Sequence, residues 1–229
     1  MRRRYAGLGA ALALTLAACQ GSGASPALSQ PPGPNPTAVP NASEPVPSVG
    51  GEVRAFDGTI TWASDGSNGG SGSSTESHAT MTVTVQLVIQ DGGPEFVDAG
   101  STYSYSETSR QDDAQTLSSC GLHAEGTGRG SGPFTVPDGL IVGYYSPFNS
   151  EVSLGIHAPY TETSTGTYLC NGQTISGTSP LVENPSCGDP SGSSLVGKIG
   201  RGGIVDMTCS ETFAIGNGGV KVSGSLTSR

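Results

Sequence analysis

The sequence predicts an all-β fold: an antiparallel β-sandwich or barrel with two disulfides, preceded by a disordered linker. Three observations carry that expectation. The first is "MTVTVQLVIQ", residues 81 to 90, where Met81, Val83, Val85, Leu87 and Ile89 share one phase and Thr82, Thr84, Gln86 and Gln90 share the other. Side chains two apart share a face of a strand, so this stretch has one dry and one wet side. The second is that no segment shows an apolar stripe at helical spacing, while Gly, Ser, Asn, Asp and Pro clusters separate the alternating segments. The third is the set Cys120, Cys170, Cys187 and Cys209 in a chain that begins like an exported protein. In an oxidising compartment four cysteines pair as two disulfides, in one of three ways.

Taken in order, the chain opens with Arg2, Arg3 and Arg4 and an apolar run from Tyr5 to Ala18. That run is shorter than the roughly 20 residues a bilayer span needs, and residues 1 to 18 read as a signal peptide. It ends in Leu16, Ala17, Ala18 and Cys19, which resembles the lipobox of bacterial lipoproteins. The resemblance implies cleavage before Cys19, diacylglycerol on its sulfur, and retention at the outer face of a membrane. Gln20 in place of Asp after the cysteine implies the outer membrane in a two-membrane cell and the cell membrane otherwise. Two acyl chains, at about 0.8 kcal/mol per buried methylene, hold a protein stably where one holds it marginally. With Cys19 taken by lipid, the remaining cysteines are even in number.

From Cys19 to Gly50 runs a linker. Residues 20 to 50 hold eight of the 16 prolines, with Gly, Ser and Ala and almost no large apolar side chain, so this stretch buries too little surface to fold. Counted from Cys19, seven Lys and Arg stand against 19 acids, a net charge of −12. Phosphates are repelled by such a surface, which argues against nucleic acid and anionic headgroups as partners.

A single domain is expected from residue 51 to 229. Weaker alternations accompany the one at Met81: Ile60 with Trp62, Tyr103 with Tyr105, Cys120 with Leu122 and Ala124, Val152 through Ala158, Val205 through Cys209, and Val220 through Leu226. Apolar residues make up only 34% of the chain and 36 residues are glycine, so the core is thin and gains from covalent ties. "GTYLC", Gly166 to Cys170, resembles the Gly-x-Tyr-x-Cys of immunoglobulin-like domains. That resemblance implies a bridge between two sheets from Cys120 to Cys170. "NPSCGDP" places Cys187 in a loop that can reach the strand carrying Cys209, and the second bridge is expected there.

Candidates for chemistry are few. "DGSNGGSGSSTE", Asp65 to Glu76, has the Asp, Gly and Glu of a calcium loop at positions 1, 6 and 12, but Gly69 removes the ligand at position 5 and strands flank it, so it reads as a hairpin connection. His78, His123 and His157 each fall on the polar phase of a strand, which makes them solvent-facing and no metal site. No His-Glu-x-x-His, Gly-x-Ser-x-Gly, Walker A or Gly-x-Gly-x-x-Gly occurs, and no cofactor is expected. Asp112 and Asp113 read as a solvated turn.

Tyr103 and Tyr105 share a face and Tyr144 and Tyr145 point to opposite faces, so these four are the candidate binding residues, through stacking on sugar rings or anchoring a protein. The expectation is an envelope lipoprotein with a non-enzymatic binding or structural role toward an envelope protein or glycan. An envelope-anchored hydrolase is the alternative.

Overall fold

The structure, a computed structural model, describes residues 55–89, 93–116, 119–189 and 191–229. The expected signal, the lipidation site Cys19 and the linker lie outside the described residues. Twelve strands follow: β1 Ala55–Gly70, β2 Ser73–Ile89, β3 Glu95–Asp98, β4 Thr102–Asp113, β5 Leu122–Pro133, β6 Leu140–Ser146, β7 Glu151–Tyr168, β8 Thr174–Glu183, β9 Leu195–Ile199, β10 Ile204–Asp206, β11 Cys209–Thr212 and β12 Asn217–Ser228.

All strand pairs are antiparallel, and the sheet closes on itself. From β1 the ladder runs to β2, β4, β5, β7, β9, β10 and β12, and β12 pairs with β1 again. A shorter path through β3 and β6 joins the same long strands β2 and β7. The barrel-like form of the expected fold is therefore the one realised, and closure removes edges that an open sandwich leaves. Among the described strands only β8 and β11 pair on one side alone.

Strand phase follows the sequence. Phe56, Ile60 and Trp62 of β1, Met81, Val83, Val85 and Leu87 of β2, and Val152, Leu154, Ile156 and Ala158 of β7 are buried inside. Towards the β1–β2 hairpin the interior changes character. One row across the strands reads Ser64, Ala79, Glu107, Gly128 and Glu162, and the next reads Gly66, Ser77, Ser109, Gly126 and Ser164, with their β8 neighbours Ser179 and Gly177 exposed.

The β5 glycines are not turn residues, as glycine clusters elsewhere suggest, but a strand face stripped of side chains. A Cβ on Gly128 would stand 2.9 Å from the Tyr160 ring, and one on Gly126 would stand 2.7 Å from Glu162 Oε1. Since real Cβ contacts that short do not occur, glycine is what lets Tyr160 and Glu162 lie over β5.

Both expected disulfides form, Cys120–Cys170 with Cα atoms 5.3 Å apart and Cys187–Cys209 with 6.0 Å. One detail is corrected. Cys120 precedes β5 and is exposed, so its bridge ties the β4–β5 connection to the turn after β7 at the barrel rim and does not cross a core. Two further corrections are local. Asp112 and Asp113 end β4 and are not in a turn, and Asp65 to Glu76 is mostly strand, with only Ser71 and Gly72 between β1 and β2. Extended this way, the stretch does not wrap around an ion.

Candidate binding surface

The histidines lie where their phase puts them. Cross-strand register places His78 beside Asp65, Nδ1 to Oδ1 2.8 Å, and His123 beside Asp112, Nδ1 to Oδ1 2.5 Å. Arg110 Nε donates to the other oxygen of Asp112 at 2.6 Å, and that bond, with the one from His123, holds the Asp112 carboxyl below its usual range. His157 is exposed on β7, opposite Leu140.

A cleft of about 580 Å³ at this end is lined by His123 and Asp112 together with Ser73, Ser74 and Asp113, among others. A hydrolytic triad needs histidine between serine and acid. Here the ladder order is Ser74, Asp112, His123, with the acid in the middle, and Ser73 Oγ donates to Asp113 at 2.6 Å. The residue types meet in the wrong order for acyl transfer. Among the described residues, the one close group of three metal-ligating types is Cys187, Cys209 and Glu211, whose sulfurs are bonded to each other.

The four candidate tyrosines divide. Tyr103 and Tyr105 are buried, which removes them from any surface stack. The Tyr103 hydroxyl donates to the Pro159 carbonyl at 2.6 Å and its ring packs on Phe134 with centroids 4.9 Å apart. Tyr105 packs on Tyr160 at 4.5 Å and donates to Glu107 at 3.0 Å. Tyr145 is half-buried against the core. Tyr144 faces outward and is 48% exposed.

Inside, the barrel holds a group the sequence reading passed over: Glu107, Glu162 and Glu183, with no Lys or Arg ion-paired to them among the described residues. Burial and the neighbouring Glu107 push Glu183 up to about 7. Glu162 is raised by burial and by Glu107, against the Ser109 hydrogen bond that lowers it. Tyr105 and Tyr160 are raised above the ordinary phenol value by burial first and by these carboxylates next. A signal was present: each glutamate sits two residues after an inward residue, Tyr105, Tyr160 or Leu181, and so shares its phase.

Around Tyr144 the outer surface turns apolar. Leu140, Val142 and Tyr144 alternate outward along β6. Beside them on β3 is Val97, which follows the residue paired with Gly143 and is itself paired with Val88 of β2. Val136 and Phe148, in the loops that enter and leave β6, are 80% and 95% exposed. The β7–β8 outer face differs, with Thr161, Thr163 and Thr165 of β7 beside Thr178 and Ser176 of β8, and the exposed Leu169, Val182, Ile204 and Ile215 are dispersed over other elements. The contrast marks the β3–β6 face, since exposed apolar residues scattered singly need no explanation and a contiguous set does.

Comparison with protein-family models, curated proteins and solved structures finds no match for this chain.

Proposed function

We propose that this chain is a cell-envelope lipoprotein with a non-enzymatic binding role, anchored to the cell membrane or outer membrane through acyl chains on Cys19. The linker from Cys19 to Gly50 carries the β-barrel away from the bilayer, and the β3–β6 face is its contact surface. The observation that carries the reading is the contiguous run of exposed Leu140, Val142 and Tyr144, flanked by Val136 and Phe148, where the other exposed large apolar residues, such as Leu169, Val182, Ile204 and Ile215, are dispersed. Supporting it, two disulfides suit an oxidising compartment outside the cytoplasm. The acid-centred ladder Ser74, Asp112, His123 gives no support to the hydrolase alternative.

The test is a photo-crosslinking amino acid placed at Tyr144 or, as control, at Thr163 in the native envelope, with fatty-acid labelling of wild type and Cys19→Ser. Adducts from position 144 and not 163, and label lost in Cys19→Ser, are the expected results. Equal adducts from both positions would remove the β3–β6 face from the reading, and label retained by the serine variant would remove the anchor.

A further inference from the structure

Two carboxylates flank the apolar run on β6. Glu95 of β3 is paired in register with Tyr144, and Asp138 lies two residues before Leu140. No ion pair reaches either among the described residues. From the ridge and these charges together, we infer that the β3–β6 face docks a basic amphipathic helix of another polypeptide, its apolar side chains on Leu140, Val142 and Tyr144 and its lysines or arginines at Glu95 and Asp138. The inference rests on the binding role proposed above and not on the lipid anchor.

The form of the occupant follows from the sheet. β6 pairs with β7 along its length and with β3 at Gly143 and Tyr144; an added strand would lie in the plane of the sheet, whereas Leu140, Val142 and Tyr144 project out of it, so contact with the ridge is made through side chains. Beside the β6 ridge, β7 turns Ser153 and Gly155 outward, opposite Tyr144 and Val142. Gly155 is so close that a Cβ there would stand 3.3 Å from Val142 Cγ2, so β7 sets no side chain beside Val142 at this position. From Leu140 to Tyr144 the ridge runs about 13 Å at about 3.3 Å per residue. A helix covers that length in roughly nine residues, enough for anchors at i, i+3, i+4 and i+7.

Charge decides between occupants. A second copy seated by two-fold symmetry would bring Glu95 and Asp138 towards their own counterparts. An anionic membrane would meet the same two acids on a chain already strongly negative. A basic helix gains from both features at once, and acids at the rim speed and orient its arrival.

The experiment uses the full-length Cys19→Ser chain, so that the anchor plays no part, with two synthetic probes of about 18 residues, one helix patterned with Leu and Lys and its counterpart with Leu and Glu. Backbone amide shifts are followed by NMR. The Leu/Lys probe is expected to shift residues on β3 and β6, and Val142→Thr and the double variant Glu95→Gln with Asp138→Asn each to weaken it at least tenfold. The Leu/Glu probe is expected not to bind. Thr at position 142 is outward and suits a strand, so the barrel stays folded. Shifts spread evenly over the barrel, unchanged affinity in both variants, or equal binding of the two probes would overturn the inference. So would concentration-dependent self-association, or binding to anionic phospholipid vesicles, if lost in Val142→Thr.

Discussion

The hydroxyl of Tyr105 on β4 stands 3.4 Å from Glu183 Oε2 at the end of β8, 78 residues later in the chain. Around this contact the barrel holds Glu107, Glu162 and Glu183 with no Lys or Arg ion-paired to them among the described residues, and the protons of Glu183 and Glu162 become part of the fold. Between the ordinary glutamate value and about 7, the folded chain holds the Glu183 proton and the unfolded chain does not. Stability is therefore full below the ordinary value and falls as pH rises through 7, by at most about 3 kcal/mol from this group. Glu162 acts in the same direction. Denaturant unfolding at pH 5 and pH 8 should show the wild type less stable at pH 8, with the difference largely removed in Glu183→Gln. A wild type equally stable at both pH values would contradict this account of the cluster.

Gly130 is the sharpest of the β5 glycines. A Cβ there would lie 2.4 Å from the Pro159 carbonyl, the acceptor of the Tyr103 hydroxyl, and 2.9 Å from Tyr160 Cβ. Gly130→Ala should cost about 1–3 kcal/mol by overpacking. Gly177 of β8 has nothing within 4 Å of the same position, so Gly177→Ala should be neutral or slightly stabilising. Thermal melts of the two variants compare them directly, and equal melting temperatures would count against the close approach of β5 and β7.

Loop entropy alone ranks the disulfides by separation: 50 residues for Cys120–Cys170 and 22 for Cys187–Cys209. That gives about 4 and about 3 kcal/mol. Burial opposes the ranking, because Cys187 belongs to the core cluster while Cys120 and Cys170 are exposed. Replacing Cys187 and Cys209 by Ala should therefore lower the melting temperature at least as much as replacing Cys120 and Cys170. A smaller loss would show that chain entropy governs both.

Replacing His78, His123 and His157 together by Gln should change stability by no more than about 0.5 kcal/mol each, since the His78–Asp65 and His123–Asp112 pairs are at the surface. Metal content should stay at background. A bound ion lost from the triple variant would show that the histidines serve a site.

Which residues point inward could be read from the sequence, because alternation is local: Met81 to Leu87 declare the face of β2 without reference to any other strand. The same period carries Glu107 inward two residues after Tyr105, yet a glutamate in a polar segment reads as solvated until another strand is known to cover it. What covers it is decided by register between strands far apart in sequence, Glu107 with Gly128 and Gly128 with Glu162. The exposed face of β6 has the same origin. Val142 and Tyr144 become a surface because β7 pairs along β6, β3 pairs at Gly143 and Tyr144, and no described residue covers its outer side, and no local pattern encodes that. Strand phase and disulfide number were determined by the sequence itself. Tertiary structure alone decided the barrel's closure, its buried carboxylates and its apolar face, because each depends on pairing energies summed over distant segments.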